Sequence, residues 1–353
     1  MSMGSPNINI TFKKAAETTA RTGNQETVGL ILLDESVSEA KTYTIYGEAD
    51  IPAGITAENA AHIKRALVGA DYAPRAVVAY VGTELSAGLD AMKAQEIDWL
   101  AGPETCTAEN ATAIETWIKA QWTDGAYVCA VLPKTAGAHP GIVNLAEESF
   151  SVADGTLTPA QMAARVAGMI CGTAGGKSIT YAKLNEISGV SAKTKADRNT
   201  AVDAGKLIAW QNGKSVRLDR GVTSLVTATA EYPEELKKIR YVDTLCRIRK
   251  DIRATMEENY IGQYSNTYLN KCVLVGAIND YLQTLATLGM LETGSTADID
   301  TEAQRAWLIQ NGKDVSGMTN EQINAANTGS AVFIKCGISL VDAIEDITIR
   351  IEY

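Results

Sequence analysis

The chain has 353 residues, a net charge of -10 and a pI near 4.9, with 46% hydrophobic and 21% charged residues. That is long enough for two domains or one large one, with an ordinary composition for a soluble globular protein. So acidic a chain is not expected to wrap nucleic acid or coat an anionic membrane, and it suits a partner with a basic surface.

The first element signal lies at Asn7, Ile8, Asn9, Ile10, Thr11 and Phe12, where polar and apolar residues alternate with period two, as in a half-buried strand. Residues 13–25 are polar, rich in Thr and Ala, and read as a linker. Met1 to Phe12 has neither a basic nor an apolar leader region, and no stretch is apolar enough to span a bilayer, which predicts a protein made and kept in the cytoplasm. A buried strand is predicted over Val28 to Leu33, a Thr56-capped helix to about Ala70, a strand over Arg75 to Val81, a helix over Leu85 to Met92 and a strand over Ile97 to Ala101. Thr107 caps the next helix, with Ile114, Trp117, Ile118 and Trp122 on or beside one face; strands follow at Ala126 to Leu132 and Gly141 to Leu145. Thr158-Pro159-Ala160-Gln161 is a capping box with proline at the first helical position, opening a helix to about Cys171. This strand–helix rhythm predicts a layered α/β body.

The pattern changes after about residue 205. Leu207 to Trp210 and Val216 to Leu218 flank an Asn212-Gly213 turn, a hairpin signal. Two long helices are predicted, about Pro233 to Glu258 and about Tyr264 to Leu288. Their core stripes would be Ile239, Val242, Leu245, Ile248, Ile252 and Met256, then Tyr268, Cys272, Val275, Ile278, Leu282 and Leu285. Short helices around Trp307 and over Thr319 to Ala326 lead to strands at Ala331 to Lys335 and Ile338 to Val341. Ile347, Thr348, Ile349, Arg350, Ile351, Glu352 and Tyr353 alternate strictly, after an acidic break at Glu345-Asp346. A strand at either terminus must pair with something. It either tucks into its own sheet or is donated to a neighbouring copy. The predicted fold is mixed α/β and α+β: an arm and linker (1–25), a sheet-and-helix body (26–200), a domain of long helices plus sheet (201–345) and a terminal strand arm (346–353).

Little of this pattern carries chemistry. The cysteines Cys106, Cys129, Cys171, Cys246, Cys272 and Cys336 lie far apart without a C-x-x-C pair, and most sit in apolar stretches, so buried free thiols are expected. Two histidines, His62 and His139, leave little for a metal or a nucleophilic triad, and no nucleophile elbow occurs. Gly172-Thr173-Ala174-Gly175-Gly176-Lys177-Ser178 resembles a phosphate-binding loop, but the glycine that loop needs upstream is Cys171, and the stretch follows a helix rather than a strand. Glu147-Glu148, Glu234-Glu235 and Glu257-Glu258 read as solvated or helix-terminal charges. No catalytic, cofactor or metal residue is nominated. Lys237, Lys238, Arg240, Arg247, Arg249, Lys250 and Arg253 form a basic stripe against Asp243 and Asp251, either a solvated face or a dock for an acidic partner.

Ala201-Val202-Asp203-Ala204-Gly205-Lys206-Leu207, then Val216 to Leu225, Lys238 to Asp243 and Asn259 to Asn266, stand in an order that resembles the contractile-tail sheath proteins of phages and defective prophages of Gram-positive bacteria, including R-type bacteriocins (tailocins) such as diffocins. Ala130 to Pro133, His139 to Asn144 and Ala167 to Thr173 resemble the same family, and the likeness is weaker over 30–125. The resemblance implies a structural protein without cofactor. It would stack as hexameric rings with copies of itself around an inner tail tube protein, between a baseplate and a tail terminator. It would assemble in the host cytoplasm and contract to drive the tube through a cell envelope. It makes 201–345 the assembly domain near the tube, the two terminal strands donated arms, and Arg247, Arg249, Lys250 and Arg253 a tube- or subunit-docking face. The rival readings are a nucleotide-binding α/β enzyme and the sheath of a related contractile injection system.

Overall fold

A run without a single charge, Thr27–Leu33, can only be a strand if both of its faces are covered. In the computed structural model, which describes residues 26–352, it is β1 (Thr27–Leu33), buried almost throughout. β2 (Lys41–Ile45) and a 3-10 turn (Glu48–Asp50) precede α1 (Ala57–Ala66), where the Thr56 side chain accepts from the Asn59 N–H. β3 (Ala76–Gly82), α2 (Leu85–Lys93), β4 (Trp99–Ala101), α3 (Ala108–Thr123), β5 (Cys129–Pro133) and β6 (Ile142–Leu145) continue the alternation. β7 (Phe150–Val152) and β8 (Gly155–Leu157) form a small hairpin before α4 (Pro159–Cys171), whose Thr158–Gln161 capping box is complete in both directions. After β9 (Gly189–Val190) come α5 (Lys195–Asp203), β10 (Lys206–Leu207), β11 (Ala209–Gln211) and β12 (Val216–Leu218).

The main sheet has seven strands in the order β10-β6-β5-β4-β1-β3-β2, parallel except where β2 runs against β3. Helices α1 and α4 pack on each other, and α4 also covers β4, β5 and β1. Close approach needs small residues: a Cβ on Gly168 would meet the Ala66 carbonyl oxygen at 2.2 Å, and one on Gly172 the Tyr72 oxygen at 2.1 Å. Those glycines, one in the last turn of α4 and one at its C-cap, explain the Gly168-Met169-Ile170-Cys171-Gly172 pattern.

The chain forms two compact units, 26–249 with 343–352, and 250–342. The expected boundary at 200/201 falls inside the larger unit, because β10 joins the main sheet through Lys206↔Asn144 and Leu207↔Leu145. The predicted strand Leu207 to Trp210 divides at Ile208, with Leu207 in the main sheet and Ala209 in the β11–β12 hairpin. The helix predicted from Pro233 starts late. A 3-10 turn (Glu234–Lys237) precedes α6 (Ile239–Asn259), because Lys238 is extended and bridges Val222.

The smaller unit holds the last part of α6, α7 (Tyr268–Thr287), β13 (Thr296–Ile299), α8 (Thr301–Gln310), α9 (Asn320–Ala325) and β14 (Ile334–Gly337). The buried face of α7 is Lys271, Leu274, Ala277, Ile278, Leu282 and Leu285, so the predicted stripe members Tyr268 and Cys272 are exposed. The Lys271 ammonium lies in their place, donating to Gln304 Oε1 at 3.1 Å, the Ala326 carbonyl at 3.2 Å and Thr328 Oγ1 at 3.2 Å. Burial lowers its pKa. β13 and β14 pair antiparallel from Thr296↔Gly337 to Ile299↔Ile334, and the predicted strand over Ile338 to Val341 reduces to a single bridge, Leu291↔Leu340.

Candidate assembly surfaces

The C-terminal stretch carries the most exposed large apolar side chains among the described residues, beginning with Ile344 at 87%. Ile347, Ile349 and Ile351 are 72%, 76% and 82% exposed, and residues 347–352 join no sheet among the described residues. The alternation puts isoleucine on one side and Thr348, Arg350 and Glu352 on the other, with Arg350 Nε 3.0 Å from Glu352 Oε1. Single exposed apolar residues are commonplace; a contiguous row of β-branched ones marks an interaction surface. The N-terminal counterpart of this segment, Asn7 to Phe12, and the final Tyr353 lie outside the described residues. In the smaller unit, β13–β14 is a two-stranded sheet, each strand with one edge unpaired by another strand among the described residues.

The basic helix is largely engaged within the chain. Lys237 pairs with Glu234 at 2.7 Å, Lys238 with Glu345 at 3.0 Å, and Arg240 donates to the Gly176 carbonyl. Of the nominated docking residues, Arg247 is half-buried, and its charge offsets part of the rise that burial imposes on the Glu26 and Asp243 carboxyls. The exposed Arg249 guanidinium stacks over Tyr127 at 4.0 Å. Lys250 is half-buried, and the exposed Arg253 pairs with Glu257 at 2.8 Å. Arg247 and Arg249 belong to the larger unit, Lys250 and Arg253 to the smaller.

The stretch Gly172 to Ser178 follows α4, so the carbonyl end of a helix faces it, the wrong dipole for phosphate. Its cradle is already occupied by the chain itself: the Asp71 carboxylate accepts from the Ala174 N–H at 2.9 Å and Lys177 Nζ at 2.5 Å. Burial would raise that carboxyl, but the Ala174 N–H and the Lys177 ammonium together hold it below its ordinary range.

Other polar groups serve the interior. His139 Nδ1 accepts from the Gly141 N–H at 3.0 Å, and its ring packs edge-on against Trp122 and Tyr232. His62 bonds the Gly102 carbonyl at 3.1 Å; burial depresses both histidines to about 4, leaving neutral rings. Glu147, fully buried, takes Lys193 at 2.8 Å and the Ala209 N–H at 2.7 Å. All six cysteines are free; Cys129 and Cys246 lie 3.8 Å apart in the core, whereas Cys272 and Cys336 are exposed rather than buried as expected. Among the described residues no group of three His, Cys, Asp or Glu could hold a metal, and no helix is long and apolar enough to cross a membrane.

Sequence reasoning missed two clusters. Glu26 and Asp243 share a hydrogen bond in the core, and Trp99 Nε1 donates to Asp243 Oδ1 at 2.8 Å. Burial first, then Asp243 and Asp98, pushes the Glu26 carboxyl well above its usual range. The available signal was an aspartate beside the apolar stripe of α6. The second cluster surrounds Glu345, whose partners are remote in sequence.

Comparison with known proteins bears on the whole chain. Residues 231–353 match the family model of the phage tail sheath C-terminal domain. The tail sheath protein of Clostridium phage phiCD119 is 36% identical over 360 residues, covering 99% of both chains. Among solved structures, the sheath tail protein of Listeria innocua superposes with a TM-score of 0.71 at 13% identity, over 92% of this chain and 94% of that one. The PVC sheath complex of an extracellular contractile injection system, in its contracted state, gives 0.68 at 14% identity, over 100% and 98%.

Proposed function

The chain belongs to the tail sheath protein family, and from that premise we propose that it is a non-enzymatic subunit that polymerises with itself as helically stacked hexameric rings around an inner tail tube. The observation that carries this reading is the alternating row of exposed isoleucines at Ile347, Ile349 and Ile351. A segment with an apolar face that joins no sheet among the described residues is matched by β13–β14, where β14 has an edge that no other strand pairs among the described residues, while Asn279 caps Ala297 on β13. Donating the strand to that sheet in a second copy would bury the isoleucines and satisfy the backbone groups of both. Asn7 to Phe12, with the same alternation, would serve as the second arm.

In this reading residues 201–345 form the assembly region near the tube. Strand exchange links copies while their bodies rotate, so the mesh survives contraction. Contraction drives the tube through a target envelope by releasing energy stored in subunit interfaces. Arg247, Arg249, Lys250 and Arg253 remain candidates for a tube or subunit contact. The baseplate and a tail terminator cap the polymer, which is built in the host cytoplasm and belongs to a phage or bacteriocin particle.

Negative-stain electron microscopy of the concentrated protein tests this. Hollow tubes or stacked rings are expected from the full chain, and dispersed folded monomers from a chain lacking residues 347–353. Tubes of equal length from both would sink the strand-donation reading.

A further inference from the structure

The chain next to the exposed arm dips into the body at one residue. Ile344 is 87% exposed and Ile347 72%, yet the Glu345 side chain between them is only 5% exposed. Four side chains receive it. Thr180 Oγ1 donates to Oε1 at 2.6 Å, with Ser178 Oγ at 3.4 Å from the same oxygen. Lys238 Nζ lies 3.0 Å and Arg220 Nε 3.5 Å from Oε2. Arg220 also reaches both Asp346 oxygens at 2.6 Å.

The groups that receive the carboxylate are also held by the body around them. Thr180 Oγ1 accepts the Gly221 N–H at 3.0 Å, and Ser178 Oγ accepts the Thr180 N–H at 3.1 Å, so the threonine proton is free to point at Glu345. Lys238 is held extended by its bridge to Val222, which also displaces the start of α6. Ser178 closes the stretch that mimics a phosphate loop, and Asp71 and Arg240 clamp that stretch from within the larger unit. The stretch itself holds Asp71, and only its last residue, Ser178, borders the Glu345 carboxylate.

We propose that Glu345 is a pin, a positioning residue that fixes the root of the C-terminal strand so that Ile347, Ile349 and Ile351 are presented in one direction to a second copy of this chain. The physical gain is local concentration. Six extended residues beyond a fixed root reach about 20 Å, whereas a root loosened back towards residue 342 lets the strand sample a larger volume and meet its acceptor less often. Two cations and a hydroxyl on one shielded carboxylate resist screening better than an exposed pair would. The pin rests on the strand-donation reading for its purpose, and it has a readout of its own in the monomer.

The test places a nitroxide at Ile351→Cys in a Cys272→Ser, Cys336→Ser background and compares Glu345 with Glu345→Ala and the isosteric Glu345→Gln. The expected result is a faster-moving label in both variants at unchanged melting temperature, and polymer growth slowed about tenfold with tubes of normal width. Lys238→Glu should mobilise the label alone, and pairing it with Glu345→Lys should restore both order and growth. An unchanged label spectrum in the Gln and Ala monomers overturns the pin, whatever the polymer does. A chain lacking residues 347–353 that polymerises normally overturns strand donation instead, and leaves the label result to judge the pin. Glu345→Gln covers the case in which Glu345→Ala fails to fold.

Discussion

Strand β1 and the C-terminal segment 347–352 are built from similar residues and meet opposite fates. β1 is apolar at consecutive positions, and β3 and β4 flank it in a parallel ladder. The terminal segment alternates isoleucine with polar residues, and no strand of its own chain pairs with it among the described residues. The pattern of a strand states how many of its faces will be covered. It does not state which chain supplies the cover. In β1 the answer lies 49 residues along the same chain, through pairs such as Thr27↔Ala76; at the C-terminus the proposed answer is a second copy.

That contrast can be broken or sharpened by substitution. The largest effect belongs to β1: Leu32→Ala should lower the unfolding free energy by roughly 2–5 kcal/mol, read by urea denaturation, since it empties space in a fully buried site. Ile347→Asp with Ile351→Asp should change monomer stability by no more than about 0.5 kcal/mol, yet abolish tubes by electron microscopy. A loss of monomer stability comparable to that of Leu32→Ala would mean the arm is packed on its own body.

The buried Glu26 sits one residue before β1, and its carboxyl is raised chiefly by burial. Its folded-state pKa lies above the unfolded value, so its favourable contribution is complete below the ordinary carboxyl value of 4.5 and is lost as pH climbs through the raised value. Stability measured from pH 4.5 upward should therefore fall more steeply in the native chain than in Glu26→Gln. Equal slopes would show that the carboxyl is not protonated in the fold. The smallest effect is expected on the basic helix. Arg249→Glu with Lys250→Glu should weaken tube or ring association several-fold in pelleting assays, with monomer stability shifted by under about 1 kcal/mol from the lost Tyr127 stack. Unaltered pelleting would make that face purely intramolecular.

Much of this architecture was legible where the signal is local. Thr56, Thr107 and Thr158 cap their helices as read, because a cap and its N–H partner lie three residues apart. The charge-free strands and the exposed terminal alternation were readable for the same reason. What escaped depends on distant partners. The unit boundary moved to 249/250 because Leu207 finds Leu145, and α6 starts late because Lys238 finds Val222. On α7 the periodicity named Cys272, while the buried position next to it belongs to Lys271, whose neutral acceptors come from Gln304, Ala326 and Thr328. Glu345 looked like an acidic break before a strand, since Thr180 and Arg220 are more than a hundred residues away.

Strand donation is tested most directly by amide hydrogen exchange over residues 347–352, taken on the monomer and on the assembled polymer. Exchange near the unstructured rate is expected in the monomer and strong protection in the polymer, as the segment's N–H groups enter a neighbour's sheet. Fast exchange of these amides inside an intact polymer would contradict strand donation.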